Sequence, residues 1–225
     1  MEATWFGHSN FRYKYEDTTI LVDPFFVGNP AAPITYDQVP EADIILVTHD
    51  HSDHIGQALE LATRLDAEVV GVFDTIQSLI SQGLHTSLGV PMNIGGTVER
   101  NGVKIKMVQA VHSSATGTAV GFLLTFPDGR CMYHAGDTAL FGDMELFGQL
   151  HDIDIAVLPT GGRFTMDARD AAHACKLLQC KTLIPMHWGT WPILAQGTDD
   201  LAAELKQTAP GTSLTVLETG QPTDI

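Results

Sequence analysis

The segment Thr48-His49-Asp50-His51-Ser52-Asp53-His54 packs three imidazoles and two carboxylates into seven residues. Its fixed positions read H-x-H-x-D-H. In a chain with ten histidines, chance yields such a match on the order of 10^-3 times per sequence. Imidazole suits zinc and neighbouring borderline metals, and carboxylate suits zinc or harder ions. His49 and His51 lie two apart just after an apolar run, so their rings can point the same way. Asp53 and His54 follow in the turn before a helix and can reach a second point close by. A solvated polar loop is the competing reading. Three histidines this close repel one another when charged, which disfavours it. Four side chains are too many for one open catalytic zinc and too few for two complete sites, so more ligands must come from elsewhere.

Three residues at strand ends are the candidates: His112, Asp137 and His187. A carboxylate can bridge two cations, and Asp137 is placed for that. The partition expected is His49, His51 and His112 on one metal, Asp53, His54 and His187 on the other, and Asp137 shared. From the residues alone, polar side chains at strand ends are common, so ligation by the last three is an even choice. His8 is either a substrate contact or a buried histidine that orients a ligand. His134 and Asp23 read as residues that orient ligands, and Asp50 as a solvated or locally hydrogen-bonded position. His85, His151 and His173 have no partner pattern and read as surface or packing residues. Gly95-Gly96 and Gly161-Gly162 are turns before they are anion nests. Trp188 and Trp191 either wall a pocket or pack.

These side chains need elements to deliver them. Ala3–Gly7, Phe11–Tyr15 and Thr19–Asp23 read as strands, and the prolines and glycine of residues 24–40 mark a loop. Asp43–Thr48 is an apolar strand that runs into the histidine cluster. A helix should follow, with Ile55, Leu59, Ala62 and Leu65 on one face. Val69–Phe73 is a strand, and Asp74 is placed to cap a helix from Thr75 to about Gln82. Asn101-Gly102 joins Thr97–Arg100 to Lys104–Val111, and Asp128-Gly129 joins Gly121–Phe126 to Cys131–His134. Asp154–Pro159 resembles Asp43–Thr48. A helix over Ala168–Leu178 takes Asp167 as N-cap. Strand Lys181–Met186 delivers His187, and helix Asp199–Thr208 and strand Ser213–Glu218 close the chain. Hairpins mixed with helices imply two sheets covered by helices.

Composition bounds the rest. The chain has 225 residues, is 44% hydrophobic and only 17% charged, enough apolar material for a sizeable core. One domain over 1–225 is expected. The net charge is −15, which repels polyanions, so nucleic acid and anionic membranes are not expected partners. Cys131, Cys175 and Cys180 form no disulfide framework and lack zinc-site spacing. No apolar run is long enough to span a membrane, and no signal-type segment opens the chain. The expectation is a soluble cytoplasmic protein with a small-molecule substrate; assembly into a homo-oligomer is left open.

The order H-x-H-x-D-H, then His112, then Gly136-Asp137-Thr138, then His187 resembles the metallo-β-lactamase superfamily. Gly7-His8-Ser9, Val22-Asp23-Pro24-Phe25, Asn93-Ile94-Gly95-Gly96, His112-Ser113-Ser114, Tyr133-His134-Ala135-Gly136-Asp137-Thr138, Phe164-Thr165-Met166 and Ile184-Pro185-Met186-His187 resemble one branch. That branch is the bacterial and archaeal metal-dependent hydrolase family, related to L-ascorbate-6-phosphate lactonase. The resemblance runs from about residue 3 to 218. It implies an α+β fold, a four-layer αββα sandwich, and brings His112, Asp137 and His187 into the ligand set. Only Ala115–Ala119 follow His112-Ser113-Ser114, where relatives often carry a longer insert, and Asp167 stands where glycine often follows Phe-Thr-Met.

The chemistry expected is hydrolysis by a metal-bound, bridging hydroxide held by two divalent metal ions. Zinc is the first choice, with manganese, nickel or iron as alternatives. Asp53 would ligate and orient the nucleophile, and His8 is the candidate proton donor. The bond is an ester, lactone, amide or phosphodiester of a small anionic substrate. An iron-dependent oxidoreductase of the same fold is the alternative. His51 argues against its flavodiiron branch, which resembles this motif with glutamate there. A non-enzymatic metal-binding protein is a third reading.

Overall fold

The computed structural model describes residues Met1–Ile225. They form two compact units. The first comprises Met1–Thr97, Ser113–Ala119 and Leu217–Ile225, and the second Val98–His112 and Val120–Val216.

In the first unit β1 (Glu2–Trp5), β2 (Phe11–Tyr15) and β3 (Thr18–Val22) form an antiparallel meander. Then come β4 (Ile44–Leu46), α1 (Ser52–Ile55), α2 (Ala58–Leu65), β5 (Glu68–Val72), α3 (Phe73–Ser81) and β6 (Gly89–Met92). The sheet runs Thr223–Asp224, β1, β2, β3, β4, β5, β6. Strands β3 to β6 are parallel. β4 is short and wholly buried, as expected of an unbroken aliphatic run in parallel pairing. Leu21, Ile45, Val47, Leu61, Ala62, Val69, Ile76 and Leu79 fill the core between this sheet and its helices.

The expected helix after the histidines is two helices. Gly56 breaks it at φ 41° and ψ −120°, a conformation open essentially to glycine. A Cβ there would overlap the Pro24 carbonyl oxygen and come within 2.6 Å of Phe25 Cα. The break turns the apolar face: Ala58, Leu61 and Ala62 are buried in α2, while Ile55, Leu59 and Leu65 are partly buried around them. Asp74 does not cap α3; it lies within the first turn, and Val72 is the N-cap residue.

In the second unit β7 (Thr97–Arg100), β8 (Val103–Gln109), β9 (Val120–Thr125), β10 (Cys131–His134), α4 (Met144–Leu150), β11 (Ile155–Pro159), α5 (Ala168–Leu178), β12 (Thr182–Met186), α6 (Asp199–Thr208) and β13 (Ser213–Leu214) succeed one another. The sheet runs β13, β12, β11, β10, β9, β8, β7. β10 to β13 are parallel, and β9 is antiparallel to both β8 and β10, so β8 runs the same way as β10. Asn101 at φ 48° and Gly102 at φ 79° make the primed turn that the sequence demands between β7 and β8. The Asp167 side chain accepts a hydrogen bond from Asp170 N at 2.9 Å, the expected N-cap of α5. α5 packs against α4, α6 and β11. Gly148 lets α4 approach, since a Cβ there would lie 2.5 Å from Leu177 O.

The α+β class expected from the sequence is what is found: two mixed sheets, each with its own helices. The last expected strand is shorter than predicted and stops at Leu214. Cys131, Cys175 and Cys180 are free and buried, and burial pushes the Cys131 thiol up to about 11. No helix is long and apolar enough to cross a membrane.

Candidate metal centre

In the first unit the motif leaves the C-terminal end of β4. Asp23, just past β3, organises it. Its backbone N–H donates to Leu46 O at 3.0 Å. Its buried carboxylate accepts from Thr48 N at 2.8 Å and Thr48 Oγ1 at 2.7 Å, and lies 2.7 Å from His54 Nδ1. A carboxylate accepts, so His54 carries its proton on Nδ1 and turns the Nε2 lone pair away from Asp23. Thr48 Oγ1 also lies 3.0 Å from His49 Nδ1. Asp23 and Thr48 thus contact the His54 and His49 rings from behind.

His49 is the centre of the cluster. Its Nε2 lies 3.0 Å from His51 Nδ1, and its ring lies 4.5 Å from that of His51 and 4.1 Å from that of His54. α1 starts here because His51 O accepts from both His54 N and Ile55 N at 2.9 Å. This turn presents Asp53 and His54. Asp53 Oδ2 lies 3.1 Å from His8 Nε2. His8 is wholly buried; its carbonyl accepts from Trp5 Nε1 at 2.8 Å. His8, Asp53 and His54 offer donor atoms within 4.8 Å of one another.

Asp50 differs from expectation. It is half-buried, and its hydrogen bonds are long-range rather than local. Its carboxylate accepts from Ser114 Oγ, Ala115 N, Thr116 N and Thr116 Oγ1 at 2.6–2.8 Å. Burial alone raises its pKa, but these hydrogen bonds, led by that from Thr116, hold it below the usual carboxylate value. Sixty-odd residues separate the partners, and nothing local in the sequence signals them.

In the second unit His112, Asp137 and His187 converge. All three lie past the C-terminal ends of strands that run the same way: β8, β10 and β12. Asp137 Oδ2 lies 3.1 Å from His187 Nε2 and 3.6 Å from His112 Nε2, so one carboxylate oxygen faces two imidazoles. Thr138 Oγ1 accepts from Val111 N at 3.0 Å, and Ala139 N donates to Val111 O at 3.1 Å. These two bonds tie the end of the His112 strand to the Asp137 turn. Sequence reasoning missed Thr138; its place beside Asp137 was the available signal. Gly161 is required by packing, because a Cβ would overlap His187 O and lie 3.0 Å from its Nδ1. His134 is buried beside this turn, with Gly136 N donating to its Nδ1 at 3.4 Å. His85 and His173 bond only to local groups at the surface.

His8, Asp23 and His187 adopt φ values of 56°, 47° and 58°. Left-handed backbone at non-glycine residues is unfavourable and persists where surrounding contacts over-determine it. Here it aims three side chains of the candidate centre. The donor set fits divalent metal on chemistry: imidazole nitrogens and carboxylate oxygens, with His54 fixed in one tautomer by a carboxylate behind it.

Fold and donor chemistry together define a metal-dependent hydrolase of the metallo-β-lactamase class. Residues 2–187 match the beta-lactamase superfamily domain model. A UPF0173 metal-dependent hydrolase of Nitratidesulfovibrio vulgaris is 48% identical over 221 residues, 97% of this chain and 92% of that protein. One from Pyrobaculum calidifontis is 42% identical over 209 residues, 92% of each chain. Igni18, a metallo hydrolase from Ignicoccus hospitalis, superposes with a TM-score of 0.90 at 33% identity, covering 99% of this chain and 97% of that one. The chain belongs to this UPF0173 family of metal-dependent hydrolases.

Proposed function

We propose that the chain is a dinuclear hydrolase in which both units act as one domain over residues 1–225. His49, His51 and His112 would hold one divalent cation, Asp53, His54 and His187 the other, and Asp137 would be shared. The observation that carries this is where the chain passes between units. Ser113 belongs to the first unit, and its Oγ lies 3.4 Å from His51 Nε2. His112, which completes the triad in the second unit, is the preceding residue. The peptide bond keeps His112 within one residue of Ser113, which supports grouping His112 with His49 and His51.

When bound, the cations supply a nucleophile from water at neutral pH and polarise the scissile oxygen. Asp23 and Thr48 hold the His54 and His49 rings in donor-ready orientations. Asp53 would serve as a ligand and orient the water activated there. His8 holds Asp53 through Nε2 and is placed to exchange a proton with Asp53 Oδ2. Two carboxylates against two dications leave the centre at about +2, which selects a small anionic substrate despite the acidic surface. An ester, lactone, amide or phosphodiester bond fits this arrangement. Zinc is the first candidate, ahead of manganese, nickel and iron. The three free cysteines fit a reducing, cytoplasmic setting.

The test is metal analysis joined to a screen of lactones, aryl esters and phosphodiesters with each metal restored. Two ions per chain and turnover in at least one class are expected. His51→Ala and Asp53→Ala should each lower turnover by at least about a thousandfold while leaving the circular dichroism unchanged. Unchanged turnover in both variants would sink the reading.

A further inference from the structure

Residues 113–119 are a short excursion. The chain on either side of them belongs to the second unit, whereas these seven residues belong to the first. They contain no helix or strand. Their hold is the Asp50 carboxylate. Oδ1 accepts from Ser114 Oγ at 2.8 Å and Ala115 N at 2.7 Å, and Oδ2 from Thr116 N at 2.6 Å and Thr116 Oγ1 at 2.7 Å. Four charge-assisted bonds to one ionised carboxylate are strong and directional. On the far side Thr75 Oγ1 lies 3.1 Å from Thr116 Oγ1. Gly117 packs so close to Val72 that a Cβ would meet its Cγ1 at 2.6 Å. The segment is fixed from two directions, and Asp50 supplies most of the polar contacts.

Asp50 sits between His49 and His51, and the segment it grips begins immediately after His112. We propose that Asp50 is a positioning residue of the metal centre. By clamping Ser114–Thr116 it sets the place of His112 relative to the two histidines that flank Asp50 in sequence. The motif therefore supplies ligands and also recruits the next ligand along the chain. This rests on the assignment of His49, His51 and His112 to one cation.

Cobalt(II) is the probe, because its visible bands report the ligands of the ion that binds. Cobalt titrations of the full chain are compared for wild type, His112→Ala, Asp50→Asn and the pair Ser114→Ala/Thr116→Val. His112→Ala should weaken one cobalt ion and change its bands. Asp50→Asn should reproduce that band change and raise the Kd of the same ion by about tenfold, the usual effect of losing a group behind a ligand. The hydroxyl pair variant, which leaves the motif intact, should move both readouts in the same direction, and it carries the test alone if Asp50→Asn does not fold. If His112→Ala shifts the bands while Asp50→Asn, or the pair variant in its place, leaves bands and Kd as in wild type, the positioning role is wrong and the ligand assignment stands. The role is also wrong if Asp50→Asn weakens every cobalt ion equally, since that marks general collapse of the motif. If His112→Ala itself changes nothing, the ligand assignment fails and the role of Asp50 with it.

Discussion

At the residue scale the candidate centre is backed by buried polar groups. Asp23 is buried and accepts from Thr48 N and Oγ1 while facing His54 Nδ1. Truncation to alanine removes three buried polar contacts. Breaking a buried, hydrogen-bonded carboxylate of this kind typically removes about 3–5 kcal/mol. Asp23→Ala should therefore lose that much stability in urea unfolding, measured with chelator present so that lost metal does not contribute. A loss below about 1 kcal/mol would show that the bonds to Asp23 are dispensable. The role of Asp23 was legible because a lone aspartate ending an apolar strand has few other uses. That of Asp50 was not, because its partners lie more than sixty residues along the chain. Of the seven proposed ligands, the four in the motif could be picked out by spacing. His112, Asp137 and His187 needed the family resemblance, since a histidine or aspartate after a strand carries no local signature.

At the scale of elements, periodicity and turn chemistry located nearly every strand and helix that delivers a site residue. Helix Ala168–Leu178 with its Asp167 cap, helix Asp199–Thr208 and the Asn101-Gly102 turn were readable because each rests on local hydrogen bonds. β6, α4 and the strand Thr223–Asp224 were not. β6 contains Pro91, and α4 contains Gly148, residues that weaken each local pattern; tertiary packing keeps them in place. The break between α1 and α2 was missed for a related reason. Gly56 lies inside a run whose apolar spacing suits one helix, and the Pro24–Phe25 backbone occupies the space where a Cβ would stand. That contact presses the motif helix against the loop that follows Asp23. Gly56→Ala combines forbidden backbone with overpacking, each worth roughly 1–3 kcal/mol. It should lower unfolding free energy by about 2–6 kcal/mol with an unchanged urea slope, and lower the affinity for metal as well. Wild-type stability and metal content in Gly56→Ala would mean that the break is incidental to the centre.

The whole molecule sets charge against structure. Twenty-seven acidic residues face twelve basic ones, a net charge of −15. Self-repulsion of this size works against the compact state. Two bound dications would remove four units of it, and they would do so at buried positions where salt screens poorly. Metal that binds only the folded chain stabilises it by about 2.7 kcal/mol per site at a hundredfold Kd. For a chain of this length that is roughly 5–10 °C in Tm per site. Chelation should accordingly lower Tm by that amount for each ion lost. Added sodium chloride should then raise Tm more for the metal-free protein than for the loaded one. Exposed carboxylates are screened in both, but only the metal-free protein keeps its full negative charge. A Tm that ignores chelator would show that no ion contributes to folding. Equal salt responses in the two forms would show that the bound cations leave the field of the molecule unchanged.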